Sequence, residues 1–355
     1  MGNKIALKSR LREVLRNKVF SLVLARIREA LRHKVFTLVL ILIGLVLIFT
    51  IWSLILGRNF FALSTLRNVL NSLVLPAFLA IGAGCLLIGG HIDLSQASIG
   101  AFCGMVVATA LMKWSLPWYA AIVTGLAFSA VFGAINATMV TALRFPAFIA
   151  TLAMSQMANG LMYLFSSLGT TTGKATNVMI TPVNPQLEFL GQARILNEEV
   201  PFGVIIMIIF MLVYGIMLAK TKLGLKIMLM GGNPVSARLA GINSRKLTYF
   251  LFINSAVLGG IAGVFNTSRL MQGQLLALQT SQFSGITASI LGGISFGGGS
   301  GGMGGAFVGL LILQTFQIGM GAVSVNPFWV TVFTGIMLIL ALAIDFLSQM
   351  RKNKV

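Results

Sequence analysis

Residues 220–246 read KTKLGLKIMLMGGNPVSARLAGINSRK, a basic run between two long apolar segments. The run contains six Lys or Arg and no Asp or Glu. Because Lys and Arg beside membrane spans are retained on the cytoplasmic side, the run predicts a cytoplasmic loop between two spans. It is also long enough to contain a short helix. The sequence therefore predicts a membrane protein with a cytoplasmic docking surface.

The composition of the chain favours the same class. The chain is 57% hydrophobic and 9% charged, with a mean hydropathy of +0.94, whereas soluble domains are about 25% charged. The net charge of +19 lies mainly in loops and termini without a nucleic-acid-binding motif, so topology and anionic lipid explain it better than nucleic acid. Cys85 and Cys103 lie inside apolar runs and predict neither a disulfide nor a metal site.

Ten apolar segments of about 20 residues predict an all-α polytopic membrane protein with ten spans. These segments begin near Val35, Val69, Leu94, Pro117, Pro146, Pro201, Thr248, Phe283, Gly302 and Pro327. With both termini cytoplasmic, the inner segments hold 20 of the 26 Lys and Arg. The opposite orientation would reverse this bias, so we reject it.

The predicted domain organisation has a short basic start, a long membrane domain and a short tail. Residues 1–34 form a basic cytoplasmic segment with a local duplication, 35–347 form the transmembrane domain, and 348–355 form a cytoplasmic tail. The membrane domain includes the basic loop 220–247 and a polar outer segment, 169–200, which is suited to a lid or contact surface. We take the first apolar run as a retained membrane anchor.

Residues 292–305 read GGISFGGGSGGMGG and satisfy the G-x-G-x-x-G pattern at Gly297, Gly299 and Gly302. A dinucleotide site would also need a preceding strand and an acid about 20 residues further on, and the sequence has neither. The glycines instead predict a tight turn and a close approach of two helices. The acids are scattered and the two His and two Cys do not cluster, so the sequence predicts a non-catalytic protein with no cofactor and no metal.

Asp93 is the one acid between Glu29 and Glu188. An ionisable group at membrane depth is a functional candidate by default. Asp93 can alternatively cap the following helix with help from Ser95, since its carboxylate can accept backbone N–H groups. His91 beside it allows a proton-relay role. The sequence leaves the cap and the transport role open.

Uncharged polar side chains recur inside the apolar segments and need partners there, either on a neighbouring helix or along a water-filled path. The amides among them are Asn68, Asn71, Asn136, Gln156, Asn159, Asn254, Asn266, Gln282 and Gln314. Amides together with aromatic rings suit a sugar, because amides bind its hydroxyls and rings stack on its faces. The predicted substrate pathway consists of Asn68, Asn71, Phe148, Thr151, Gln156 and Asn254.

Several ordered motifs between about Asn68 and Asp345 resemble the permease subunits of bacterial ABC importers for ribose, galactose and related monosaccharides. The motifs are GGHIDLSQASIGA (89–101), FPAFIATL (145–152), GGNPVSARLAGI (231–242), LGGISFGGGSGGMGG (291–305) and VNPFW (325–329). The resemblance implies a multi-pass subunit of the bacterial cytoplasmic (inner) membrane that translocates a monosaccharide or a related small polar solute. It implies as partners a cytoplasmic ABC ATPase, a periplasmic or lipid-tethered sugar-binding protein, and a second permease copy or paralogue.

The chain departs from that family's pattern at four positions. His91 and Ala97 stand where the family commonly has Gly, Gln282 stands in place of an acid, and Arg238 replaces an Ala. These departures leave the exact substrate open and allow a heterodimeric permease pair.

Residues 232–242 are predicted to be the element that couples the permease to the ATPase. Asn233 would cap a short helix, Ala237 and Ala240 would form a small apolar docking face, and Gly241 would end the helix. The full predicted set is Gly232, Asn233, Ala237, Arg238, Ala240, Gly241 and Ile242. The rival functions are an ion-coupled secondary transporter that uses Asp93 and His91, and a membrane scaffold without transport.

Overall fold

The computed structural model describes residues 34–195 and 200–352, so most of the predicted N-terminal segment with its duplication lies outside the described residues. The described residues form thirteen α-helices, two pairs of two-residue strands and one 3₁₀ turn. The helices are α1 (Lys34–Ile55), α2 (Leu63–Ile88), α3 (Gln96–Met112), α4 (Trp118–Thr141), α5 (Ala147–Gly169), α6 (Pro185–Gln192), α7 (Phe202–Lys220), α8 (Lys222–Gly232), α9 (Pro234–Leu239), α10 (Ser244–Leu270), α11 (Gln282–Leu291), α12 (Met303–Ala322) and α13 (Pro327–Lys352).

Eight helices within the described residues are long and apolar enough to cross a membrane. They are α1, α2, α4, α5, α7, α10, α12 and α13, and they correspond to eight of the ten predicted spans. The segments predicted to begin near Leu94 and Phe283 form the shorter helices α3 and α11, of 17 and 10 residues. At 1.5 Å per residue these reach about 25 and 15 Å, less than the roughly 30 Å of a bilayer core. The protein is thus an all-helical polytopic membrane protein.

Helices α2, α3 and α10 form the centre of the bundle. The most apolar window of α2 is 83% buried, whereas that of α13 is 6% buried and α13 lies at the periphery. Small residues allow the central backbones to approach: a Cβ on Gly104 in α3 would lie 3.0 Å from the carbonyl oxygen of Gly263 in α10. Close contact of this kind replaces hydrophobic burial as the source of helix association in a membrane.

The strands tie loops together at one end of α10. Strand β1 (Val178–Met179) pairs with β4 (Gln272–Gly273), and β2 (Arg194–Ile195) pairs with β3 (Val200–Pro201), both antiparallel. The described part of the polar segment 169–200 therefore packs where α10 ends. We call this the distal end, and the end that carries residues 220–246 the basic end. Since α10 has 27 residues, the two ends are about 40 Å apart.

Helices α2 and α11 both end at a Gly-Gly pair with the same geometry. Gly90 has φ +81° and Gly293 has φ +88°, a region that favours glycine. The amides of His91 and Ile294 each donate to a carbonyl five residues earlier, at 2.9 and 3.0 Å. The turn at Gly293 stops α11 after ten residues, whereas the turn at Gly90 ends the full-length helix α2 before α3 begins at Gln96.

Candidate coupling and transport sites

The basic run folds into two helices, α8 and α9, joined at Asn233. The Asn233 side chain accepts hydrogen bonds from the amides of Val235 and Ser236 at 3.1 and 3.0 Å, which caps α9 as the sequence predicts. The helix ends where Gly241 adopts φ +76°, and the Gly241 amide donates to the carbonyl of Arg238 at 2.9 Å. Both ends of this six-residue helix are therefore fixed by local hydrogen bonds.

The exposed face of α9 differs from the predicted docking face. Ala237 is 1% exposed and packs inward, so the prediction that it contributes to the docking face is wrong. Ala240 is exposed, as the prediction requires. The large apolar side chains on the surface are Val235 and Leu239, which are 67% and 86% exposed. These two are four residues apart, on one face of the helix, and that spacing was the signal available in the sequence.

A cavity of about 1190 Å³ separates α9 from the ends of α2 and α4. Arg144, Arg238 and Arg245 line it together with His91, and none of the described residues in its wall is acidic. Ile242 also lines this cavity. The basic end thus offers a cationic surface around the exposed apolar pair.

Three backbone segments meet at the basic end without side chains between them: residues 88–90, 231–232 and 298–299. We call them the glycine junction. The Gly299 amide donates to the carbonyl of Ile88 at 2.8 Å. A Cβ on Gly231 would overlap that same carbonyl oxygen and lie 2.8 Å from the Gly299 nitrogen. The glycine-rich stretch is therefore a packing element that connects the basic run to the end of α2, as the sequence analysis expected of its glycines.

Helix α13 anchors the glycine-rich stretch. The Asp345 carboxylate accepts a hydrogen bond from the Phe296 amide at 2.9 Å and another from the Gln349 side chain at 2.6 Å. The Gln349 amide also donates to the Ser295 hydroxyl at 2.9 Å. The loop between α11 and α12 is held on one side by α13 and on the other by the glycine junction.

Asp93 lies in the loop between α2 and α3 and is 3% exposed. Its Oδ1 accepts from the amide and the hydroxyl of Ser95, at 2.8 and 2.6 Å. Its Oδ2 accepts from the Ser255 hydroxyl of α10 at 2.9 Å. Its hydrogen-bond donors within the described chain are all neutral, and one of them is a backbone amide directly before α3.

The same loop is bound by three further helices. Asn136 of α4 donates to the Ser95 hydroxyl at 2.8 Å, and Thr151 of α5 accepts from the Leu94 amide at 3.1 Å. Gln282 of α11 donates to the Leu94 carbonyl. The structure therefore brings Asp93, Ser95, Gln282 and Thr151 together. We call this set, with Asn136 and Ser255, the Asp93 node.

His91 has different partners from Asp93. Its Nε2 lies 3.3 Å from the Thr248 hydroxyl, and its ring packs against Phe252 with centroids 5.7 Å apart. The carboxylate of Asp93 is bound by Ser95 and Ser255 instead. The two side chains of the predicted relay are thus directed to different neighbours.

The six predicted pathway residues lie in several separate places. Asn68 and Asn71 line a polar cleft at the distal end, whereas Phe148 and Gln156 are exposed on the outer face of α5. Asn254 accepts a hydrogen bond from the Tyr214 hydroxyl, and Thr151 belongs to the Asp93 node. Within the described chain they do not form a single lining.

A second cavity at the distal end, of about 740 Å³, lies between α2, α11, α12 and α13. Its wall carries Asn71, Ser284, Gln314 and Gln317, with Arg269 at the end of α10. In the sequence, Gln314 and Gln317 of α12 are recognisable only as polar residues inside a predicted span. Their convergence on Asn71 depends on how α2 and α12 pack, which the sequence does not show.

Comparison with known proteins gives consistent matches over most of the chain. The family model described as "Branched-chain amino acid transport system / permease component" matches residues 65–342. The ribose import permease protein of Escherichia coli (strain K12) is 31% identical over 294 residues, which cover 83% of this chain and 89% of that protein.

Two further relatives match over similar lengths. The fructose import permease protein of Rhizobium meliloti is 29% identical over 304 residues, covering 85% of this chain and 83% of its own length. The L-arabinose transport system permease protein of Escherichia coli (strain K12) is 28% identical over 297 residues, which cover 84% of this chain and 87% of that protein. The matched region includes the Asp93 node, the basic run and the glycine junction. The chain therefore belongs to the branched-chain amino acid transport system / permease component family, and it is a multi-pass protein of the inner membrane.

Proposed function

We propose that this chain is the membrane-spanning subunit of an ABC importer that translocates a monosaccharide, driven by a separate cytoplasmic ATPase. Family membership gives the permease role, and relatives named for ribose, fructose and L-arabinose favour a sugar as the solute. The observation that carries the ATP-driven mechanism is α9, a capped helix that presents Val235 and Leu239 at the basic end. An exposed apolar pair on a charged surface marks a contact with another protein.

In this proposal α9 and its flanks form the ATPase-coupling element. Val235 and Leu239 insert into an apolar cleft of the ATPase, with Ala240 beside them. Arg238 and Arg245 pair with acidic residues around that cleft. Asn233 and Gly241 fix the two ends of the helix, and Ala237 anchors it from inside. Gly232 and Ile242 connect it to α8 and to the cationic cavity.

The coupling proposal is tested with Leu239→Glu in a complex with the cognate ATPase and binding protein. A charge buried without a partner at the contact is strongly unfavourable. We expect Leu239→Glu to be inserted normally but to lose ATPase co-purification and sugar-stimulated ATP hydrolysis. The matched control is Val183→Glu, which changes a 49% exposed side chain at the distal end and should retain ATPase binding. Full co-purification and coupled hydrolysis with Leu239→Glu would remove α9 from the coupling role.

We further propose that α3 and α11 complete a ten-helix arrangement, with both termini and residues 220–247 cytoplasmic. The charge bias of the segments supports this orientation. Ser236 and Thr176 are exposed at opposite ends, and the native Cys85 and Cys103 are fully buried. In intact cells an impermeant thiol reagent should label Thr176→Cys and not Ser236→Cys. Labelling of Ser236→Cys alone would invert the orientation.

The proposed second permease copy covers α5. Gln156 is an exposed amide near the middle of this apolar helix, and Phe148 is exposed on the same helix. An amide facing lipid would lack hydrogen-bond partners, so a protein neighbour is favoured. Gln156→Cys should form a disulfide-linked dimer on oxidation, whereas Ile48→Cys on the lipid-facing side of α1 should not. Absence of that dimer would place the second copy elsewhere.

The substrate route is proposed to begin at the distal end, where a binding protein docks against segment 169–200. Asn68 and Asn71 line the opening, and Phe148 and Gln156 face the second copy. Thr151 and Asn254 support the route from inside the bundle. The ion-coupled alternative is not favoured, because Asp93 and His91 have separate neutral partners and the family relatives are ABC-type permeases.

A further inference from the structure

We propose that the 740 Å³ distal cavity between α2, α11, α12 and α13 is a binding site for one uncharged, polyhydroxylated solute in each permease chain. This inference rests on the proposed function and deepens it by naming where the solute is held. Three features of the cavity support this inference: polar groups without partners, a suitable size, and a neutral interior.

The strongest feature is the amide of Gln314. This side chain is 3% exposed, lines the cavity, and makes no hydrogen bond to any other described residue. Buried amides are nearly always hydrogen-bonded, because loss of water without a replacement partner is unfavourable. Gln314 is therefore directed at a space where a polar ligand can bind it.

Two further polar groups converge on the same space from other helices. Ser284 of α11 is also 3% exposed and, like Asn71 of α2, has no hydrogen-bond partner among the described residues. Gln317, one turn after Gln314 on α12, donates to the Thr334 hydroxyl of α13 at 3.3 Å. An amide both donates and accepts, as a sugar hydroxyl does. The cavity thus offers complementary groups from four helices.

The size and apolar walls of the cavity also fit a monosaccharide. Small-molecule sites commonly measure about 300–1000 Å³, and 740 Å³ lies in that range. Leu75 and Leu338 line the wall beside the polar groups. Apolar side chains of this kind can pack against the C–H face of a sugar ring while the amides bind its hydroxyls.

The interior of the cavity is uncharged. Among the described residues in its wall, Arg269 is the charged one, and its side chain is exposed at the mouth, where solvent and salt screen it. A neighbouring cleft of about 460 Å³ shares Asn71, Ser72 and Arg269 with the cavity and opens beside segment 169–200. That cleft is also lined by Arg194, so the entrance is cationic, whereas the described residues deeper in the cavity wall are uncharged. Because a charge that loses water without an ionic partner is strongly disfavoured, the inner part of the cavity favours neutral solutes over anions.

The test uses the complete transporter in proteoliposomes with the sugar that the wild-type complex imports. Gln314→Leu removes the amide and keeps a side chain of similar size. We expect it to lower uptake about tenfold at subsaturating sugar, in complexes that assemble at the wild-type level. The matched control, Thr315→Val, changes the adjacent buried residue of α12 that does not line the cavity and should retain wild-type uptake.

A second measurement keeps the inference testable if Gln314→Leu assembles poorly. Ser284→Cys places a thiol in the wall of the cavity, and bound sugar should slow its reaction with a small hydrophilic thiol reagent. A sugar acid of the same size should protect it less. Normal uptake by Gln314→Leu together with unprotected Ser284→Cys would overturn the inference while the proposed function stands. Failure of the wild-type complex to import any sugar would overturn the proposed function itself.

Discussion

The basic end and the distal end of the bundle differ in the contacts that form them. At the basic end, backbone meets backbone in the glycine junction, and a Cβ added at Gly231 or Gly299 would overlap neighbouring backbone. At the distal end, amides and hydroxyls from four helices surround an open cavity, and several have no partner in the described chain. The basic end is suited to rigid transmission of a movement, because packed backbones cannot deform continuously. The distal end is suited to exchange hydrogen bonds with a passing solute.

The Asp93 node lies between these two regions and connects them. Its loop follows the glycine junction directly in the chain, and it hydrogen bonds α4, α5, α10 and α11. Helix α11 in turn carries Ser284 of the distal cavity. These contacts form a continuous series from the glycine junction to the wall of the distal cavity.

The largest effect is expected from a substitution that tests whether the glycine junction at the basic end is rigid. Gly231→Ala places a Cβ against the Ile88 carbonyl and the Gly299 nitrogen, so the junction must open. Because both neighbours are backbone, we expect a cost of about 3 kcal/mol or more and nearly complete loss of sugar uptake. Gly302→Ala is the control, since nothing lies within 4 Å of its Cβ and its φ is −165°. Uptake by the two variants in proteoliposomes, corrected for reconstituted protein, is the measurement. Equal uptake would show that the junction is not rigid.

At the Asp93 node two substitutions are expected to differ: Asp93→Asn keeps the hydrogen bonds and has a smaller effect than Gly231→Ala, whereas Asp93→Ala removes them. Asp93→Asn retains an oxygen for the Ser95 amide, and its NH₂ can donate to Ser255, whose hydroxyl can accept. Asp93→Ala leaves buried donors unpaired, at a cost of about 1–3 kcal/mol each. We therefore expect Asp93→Asn to retain most uptake and thermal stability, and Asp93→Ala to lose both. If Asp93→Asn is stable and assembled but inactive, an ionised carboxylate takes part in transport.

The sequence predicts the local features at the two ends of the bundle better than it predicts the contacts between distant helices. The Asn233 cap and the Gly241 end of α9 follow from residue chemistry within the nine residues 233–241, and both are present. The inward position of Ala237 depends on how α9 lies on the bundle, so composition could not reveal it. The pairing of Leu94 with Thr151 and Gln282 joins residues up to 188 positions apart. In the sequence Gln314 is likewise one amide among several, and only the packing of the helices places it in the wall of the same cavity as Asn71.

The smallest effect is expected from substitutions of Gly241 at the end of α9. They distinguish backbone strain at this residue from the loss of a direct contact with the ATPase. Gly241 has φ +76°, and nothing lies within 4 Å of its Cβ position, so Gly241→Ala adds strain without a clash. We expect a cost of about 1–2 kcal/mol, because residues with a Cβ disfavour this region. Asn tolerates the left-handed conformation better, so Gly241→Asn should lose less. The measurement is sugar-stimulated ATP hydrolysis as a function of ATPase concentration. Both variants should require more ATPase for half-maximal stimulation, Ala more than Asn, while the maximum is retained. A reduced maximal rate of ATP hydrolysis with either variant would mean that Gly241 contacts the ATPase directly. The rigidity of the basic end would then depend on the surface of the ATPase as well as on the glycine junction.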